Sequence, residues 1–138
     1  MNNLATAITS KATGSNFLNA IGGRLRNGEA EVGEPYPYSV FLLPVSDDPQ
    51  SESTWGGDYE DILMQFSIFS ILHAPSEAWT IHGYLKALYD DCTLTITDQT
   101  LIKMERVNTI LIPEDHAVKA GTQRVWHIAT DYSITTKV

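Results

Sequence analysis

This sequence has little cysteine, little basic charge and no long apolar run. The single cysteine, Cys92, excludes an internal disulfide and fits a reducing compartment. Nine basic residues against 17 acidic ones leave a formal net charge of -8, which disfavours anionic lipids and phosphate backbones. The most apolar stretch, 62–72, is interrupted by Gln65, Ser67 and Ser70 and is too short to span a bilayer. We therefore expect no membrane and no sequence-specific nucleic-acid partner.

The N-terminus lacks a basic start followed by an apolar stretch, so we expect no signal peptide and synthesis in the cytosol. The 138 residues, 43% of them hydrophobic, suit one globular domain, expected over 1–138. Between Val45 and Asp58 the residues are small and polar, with one proline and a glycine pair. This composition predicts a flexible polar loop at about 45–59.

Periodicity predicts an α+β fold: a mostly antiparallel β-sheet with one long helix and an N-terminal helix packed on it, in the order α-β-β-α-β-β-β. Four-residue apolar spacing predicts the first helix over 2–12, and a second apolar stripe predicts a helix from Ser76, as its N-cap, to Tyr89. The predicted strands are 38–43, ended by Pro44, then 62–72, 93–97, 102–112 with a bulge near Asn108, and 124–134. A short strand at 24–26 and a charged loop at 113–122 complete the expected elements.

Two strands have an alternating pattern that assigns their faces. Ile62, Met64, Phe66 and Ile68 share one apolar face, on which the long helix is expected to pack. In the last strand the same pattern places His127 on the side opposite the apolar face.

The residue types that carry chemistry are not arranged as a site. The four histidines, His73, His82, His116 and His127, have no spacing typical of zinc ligands. Cys92 ends an apolar helical stripe and is expected to behave as a small hydrophobe. One acidic cluster could bind a hard cation but lacks the spacing of a calcium loop: Asp47, Asp48, Glu52, Asp58, Glu60 and Asp61. We predict no catalytic residue, no metal and no cofactor.

Trp55 is unusual because a large apolar ring in a polar loop needs a partner surface. It either folds back onto its own domain or docks on a neighbouring chain, where tryptophan is enriched at binding hot spots. The other interface candidates are charged residues near turns or loops. The full set of candidate assembly residues is Trp55, Asp58, Arg24, Arg26, Glu114, Asp115 and Lys119.

The segment from Ala20 to Leu42 carries a family resemblance. A short N-terminal helix leads to a Gly-Arg strand start at Gly23-Arg24, then to an x-Gly-Glu-Ala turn at 27–30, and Pro37-Tyr38 opens a hydrophobic strand. With the polar loop, the long helix and the late strands, this resembles the tail terminator, or tail completion, proteins of long-tailed bacteriophages. The resemblance covers most of the chain, and Pro37-Tyr38 is its sharpest motif.

The resemblance implies an α+β subunit of a six-membered ring that caps the tail tube, stops its polymerisation and presents a surface to the head. The implied partners are further copies of this chain, the tail tube protein and a head-completion or connector protein. The implied location is the head–tail interface of the virion, with no active site or cofactor. Three alternatives stay open: a connector adaptor of the virion neck, a ligand-binding module with a pocket lined by Trp79, Tyr84 and Tyr89, and a metal enzyme that uses the acidic cluster.

Overall fold

The chain folds as one sheet with its helices on one side. The computed structural model describes residues 1–52, 57–72, 74–118 and 121–137, with side chains for all of these except 48–52, 57–58 and 117–118. Within them lie three helices and six strands: α1 Asn2–Ala12, α2 Asn16–Ala20, β1 Leu25–Asn27, β2 Tyr38–Glu52, β3 Gly57–Ser70, α3 Ser76–Tyr89, β4 Thr95–Ile96, β5 Gln99–Val118 and β6 Gly121–Lys137.

The six strands form one sheet in the order β1-β2-β3-β6-β5-β4. Every neighbouring pair is antiparallel except β1 and β2, which are parallel. The predicted α+β class with a mostly antiparallel sheet is therefore confirmed. The long strands β3 and β6 occupy the centre of the sheet, so their side chains decide what lies on each face.

The helices pack on the face that the alternation of β3 predicts. Ile62, Met64, Phe66 and Ile68 are all buried, whereas the residues between them are partly exposed. The ring of Phe66 stacks on Tyr89 of α3 with centroids 4.9 Å apart. We call this helix-covered side the inner face and the opposite side the outer face.

Two prolines lie inside strands that were expected to end before them. The prediction that Pro44 ends its strand is wrong, because β2 continues to Glu52 after a register shift between Leu42 and Ser46. Pro44 falls in that irregular stretch, where a missing N–H costs no regular ladder bond. Pro113 lies within β5, opposite Trp126 of β6.

Two segments expected to be loops are strands over most of their described length. In the polar segment at about 45–59, β2 pairs with β3 from Ser46 opposite Leu63 to Glu52 opposite Gly57. The predicted charged loop at 113–122 is wrong, because β5 and β6 pair as far as Val118 opposite Gly121. Long hairpins supply each polar residue with a backbone partner, and this pairing overrides weak local strand propensity.

Of two smaller local predictions, one is confirmed and the other is wrong. The bulge near Asn108 is confirmed by a register shift between Arg106 and Asn108. The predicted cap is wrong, since α3 follows Pro75 as its N-cap residue and has no side-chain cap bond. Ser70 instead donates to the Glu77 carboxylate at 2.7 Å and ties the first turn of α3 to the end of β3.

Candidate assembly interface

Arg24 and Arg26 hold the segment between β1 and β2. Arg24 donates from Nε and Nη2 to the carbonyl oxygen of Pro37, at 3.1 and 2.9 Å. Arg26 Nη2 lies 3.1 Å from Oε1 of Glu34, whose side chain is only 2% exposed. We call residues 28–37 the flap. These contacts within the chain fix the flap, and a role for either arginine in assembly stays a prediction.

Glu114 is the centre of a polar cluster on the outer face. Its two carboxylate oxygens lie 2.8 Å from His116 Nε2 and 2.6 Å from His127 Nδ1. The hydroxyl of Tyr36, from the flap, lies 2.9 Å from His116 Nδ1. Every one of these bonds forms when both imidazoles are neutral, with Tyr36 as the donor to His116. The cluster therefore ties the flap to the β5–β6 hairpin.

The same cluster fixes a negative charge. Burial raises the pKa of Glu114, but the hydrogen bonds from His116 and His127 outweigh burial and hold this pKa below its usual value. Burial and the neighbouring Tyr36 raise the pKa of Tyr38 to about 12. At neutral pH this corner consequently holds the Glu114 carboxylate and the uncharged phenol of Tyr38.

Asp115 differs from its neighbour Glu114. It accepts a bond from Arg124 Nε at 2.9 Å, and more than half of each side chain is exposed. Such a pair contributes little to stability, so both groups are available to a partner.

Three interface candidates fall where the structure gives no side chain. Trp55 and Lys119 lie outside the described residues, as does the side chain of Asp58, whose backbone pairs with Ser51. Their part in assembly stays a prediction.

Part of the acidic cluster lies on the distal half of the β2–β3 hairpin. A hydrogen bond between Glu60 and Asp47, with burial and charge repulsion, raises the pKa of Glu60. Asp61 accepts a bond from the Thr135 hydroxyl at 2.6 Å. Among residues whose positions are described, no three His, Cys, Asp or Glu side chains are grouped to hold a metal ion. In the same part of the chain, no helix is long and apolar enough to cross a membrane.

The outer face carries apolar side chains that periodicity did not single out. Leu42, Ile110 and Ile112 are each exposed by 36–50%. Leu42 also lines an open slot of about 290 Å³, which lies between flap residues 28–30 and the outer face of β2 and β3. Its sheet wall comprises Tyr38, Val40, Leu42, Gln65, Ser67 and Phe69. The slot is a second apolar surface. It forms only when distant segments of the chain come together, so no local sequence pattern predicts it.

The three aromatic residues expected to line one ligand pocket lie in different places. Tyr89 is buried in the core, where its hydroxyl donates to the carbonyl of Ile8 at 2.7 Å and burial raises its pKa. Trp79 and Tyr84 are exposed on α3, by 43% and 39%. They are surface groups of the helix layer and do not face one cavity.

The comparisons with known proteins extend only to the fold. No family model and no curated protein match the sequence. The structure is similar to a chain from the virion of a native gene transfer agent (GTA) particle, with a TM-score of 0.69 and 13% identity over 98% of this chain and 95% of that one. A second solved protein, with no stated function, gives a TM-score of 0.55 and 13% identity over 96% and 94% of the two chains. At this identity the similarity shows a shared fold that spans both chains from end to end.

Proposed function

We propose that this chain is a structural subunit of a phage-like virion that forms a closed ring at the end of the tail tube. The observation that carries the proposal is the end-to-end similarity in fold to a chain of a gene transfer agent virion. The Gly-Arg, Gly-Glu-Ala and Pro-Tyr sequence features point to the same class from the sequence. In this role the chain ends tail polymerisation and offers a surface to the head.

Surface chemistry supports assembly from identical copies. A ring needs two different patches on each subunit, because its contacts are heterologous. The outer face exposes Leu42, Ile110 and Ile112, and the helix layer exposes Trp79. The net charge of -8 keeps free subunits soluble in the host cytoplasm until they assemble.

The proposed partners are the tail tube protein on one side of the ring and a head-completion or connector protein on the other. A ring of six matches the expectation from the sequence resemblance. The role is structural, so none of the polar clusters is assigned a reaction.

The test is a tube-capping assay. Purified chain is added to polymerising tail tube protein, and tube lengths and tube ends are scored by electron microscopy, with native mass spectrometry for ring size. We expect closed rings at one end of each tube and arrested growth. Tubes that keep growing with bare ends contradict the proposal. Rings that bind portal complexes but not tubes identify the chain as a neck adaptor instead.

A further inference from the structure

We propose that neighbouring copies of this chain join head to tail, with Trp79 of one copy seated in the slot beneath the flap of the next. The inference rests on the proposed ring and names the two surfaces that build it. Its occupant is a second copy of this chain.

The slot is matched to one large side chain. Its volume of about 290 Å³ is at the lower limit for small-molecule pockets, which run from about 300 to 1,000 Å³. Val40, Leu42 and Phe69 supply apolar walls, while Gln65 and Ser67 supply polar groups. An indole combines a large apolar body with one N–H donor, so it fits this combination of walls.

Trp79 is available to enter such a slot. It lies near the start of α3 with 43% of its surface exposed, and its described aromatic contact is edge-on to His82 at 5.5 Å. Gly83 and Lys86 follow it at four and seven residues, so all three lie on one side of the helix. Gly83 has no side chain, so a neighbouring surface can come close to the helix next to the indole.

The two surfaces cannot meet within one molecule. α3 covers the inner face, while the slot opens on the outer face of the same sheet. Trp79 of one copy can therefore reach only the slot of another. Repeating that contact uses a different patch on each side of every subunit, which is the heterologous geometry that closes into a ring.

Charge complementarity favours the same pairing. Lys86, on the Trp79 stripe, and Glu29, on the rim of the slot, have no oppositely charged partner within 4 Å in the described part of the chain. Asp131 adds a carboxylate next to the slot, held 3.0 Å from the Gln65 amide. The helix stripe that carries Trp79 thus also carries a cation about two turns further along, and carboxylates flank the slot.

Strand-edge pairing is the less favourable way to join copies. The outer edges of β2 and β5 are interrupted by Pro44, by Pro113 and by three register shifts. Prolines and bulges on edge strands are devices that prevent edge-to-edge association. β1 pairs with the start of β2, and β4 pairs with the start of β5, at the opposite end of the sheet. Two copies therefore cannot pair these edges along their full length.

The first experiment compares two exposed aromatic residues of α3 by sedimentation over a concentration series. We expect Trp79→Ala to weaken self-association about thirty-fold, as loss of a hot-spot tryptophan does. Tyr84→Ala is the matched control, since Tyr84 lies about 140° around the helix from Trp79 and should leave association unchanged. Ser67→Phe, which fills the slot without touching α3, should reproduce the Trp79 effect. Equal association of all variants overturns the inference.

The second experiment traps the contact covalently. In a Cys92→Ser background, Ala30→Cys on the flap is combined with Gly83→Cys on α3, where an added Cβ has nothing within 4 Å. Oxidation should produce a ladder of disulfide-linked oligomers, whereas each single cysteine should stop at dimers. A ladder supports the contact. If rings form without a ladder, this inference is overturned and the proposed function stands. If neither rings nor a ladder form, both the inference and the proposed function are contradicted.

Discussion

His82 is a buried imidazole on the sheet-facing side of α3. It is 3% exposed, and its Nε2 lies 3.3 Å from the hydroxyl of Thr109. Burial, reinforced by the positive charges of Lys86 and Arg106, lowers the pKa of His82 to about 4. The folded state therefore holds this imidazole neutral at pH values where the unfolded chain protonates it.

This difference predicts a loss of stability in mild acid. Because the folded pKa of His82 lies below the unfolded value of 6.5, its contribution is complete above pH 6.5 and is lost as pH falls towards 4. The loss amounts to at most about 3 kcal/mol. Urea unfolding at several pH values should give a shallower pH dependence for His82→Gln than for the wild type. Identical pH dependence of the two proteins would show that His82 is not the group responsible.

A second prediction about stability and its pH dependence concerns Glu114. Glu114→Gln removes the charge that accepts bonds from His116 and His127, and we expect a loss of about 1–3 kcal/mol in the free energy of unfolding at pH 7. The pKa of Glu114 is lowered, so its stabilising effect is present above its usual pKa and disappears as pH falls through the folded value.

Glu105→Gln is the matched control for this substitution. Glu105 pairs with Lys103 at 3.4 Å, and about half of each side chain is exposed. We expect a change of less than about 1 kcal/mol, because exposed pairs contribute little. Equal effects of the two substitutions, measured by urea unfolding, would contradict a special role for the Glu114 cluster.

At the scale of elements, the flap is held by the pair of Arg26, which is 36% exposed, and the buried carboxylate of Glu34. Removing Arg26 leaves that carboxylate unpaired, at a cost below the about 3–5 kcal/mol of a fully buried pair because solvent reaches the arginine. Arg26→Met should therefore release the flap, seen as faster hydrogen exchange at residues 28–37 than in the core of the sheet. Arg124→Met breaks an exposed pair and should leave exchange unchanged. Adding Glu34→Gln to Arg26→Met should restore part of the protection, and no restoration would count against the ion pair as the anchor.

The elements also show which structure a sequence can predict. The bounds of α1 and α3 and the faces of β3 follow from periodicity, because each apolar pattern repeats over seven or more residues. Periodicity does not predict that β2 and β5 continue towards the ends of their hairpins. Pro44 and Pro113 are local signals for a strand end, but these positions in the sheet tolerate proline. Strand β2 is longer than predicted because its partner β3 determines its length.

The polar clusters could be predicted only in part. Alternation in β6 predicts that His127 faces away from the core, and the structure places it beside Glu114 on the outer face. The bond between Tyr36 and His116 joins residues 80 positions apart, and no spacing rule reaches across that separation. Their charge makes Arg24 and Arg26 interface candidates in the sequence, whereas the flap that they hold becomes evident only in the fold.

At the scale of the whole molecule, net charge opposes assembly while surface chemistry favours it. Two copies with -8 charges at a separation of roughly 30 Å repel by about 9 kcal/mol in unscreened water. Screening leaves about 3 kcal/mol at 0.01 M salt, where the Debye length is about 30 Å, and under about 0.5 kcal/mol at 0.1 M, where it is about 10 Å. A single ion pair in water contributes about 1 kcal/mol, so net repulsion prevails only at low salt.

Self-association should therefore strengthen as salt is added, in contrast to an interface built on ion pairs. Between 0.01 and 0.1 M salt we expect the association constant to rise about a hundredfold, because screening removes most of the repulsion. Above 0.1 M it should change little, since burial of Trp79 and the apolar slot does not depend on ionic strength. Sedimentation at fixed protein concentration across this salt series measures the change. Asp98→Asn, at an exposed turn remote from the slot, should reduce the rise to about forty-fold, because two copies with one negative charge fewer repel each other less. A continuous fall in association with salt would mean that ion pairs, rather than the indole and its slot, hold the copies together.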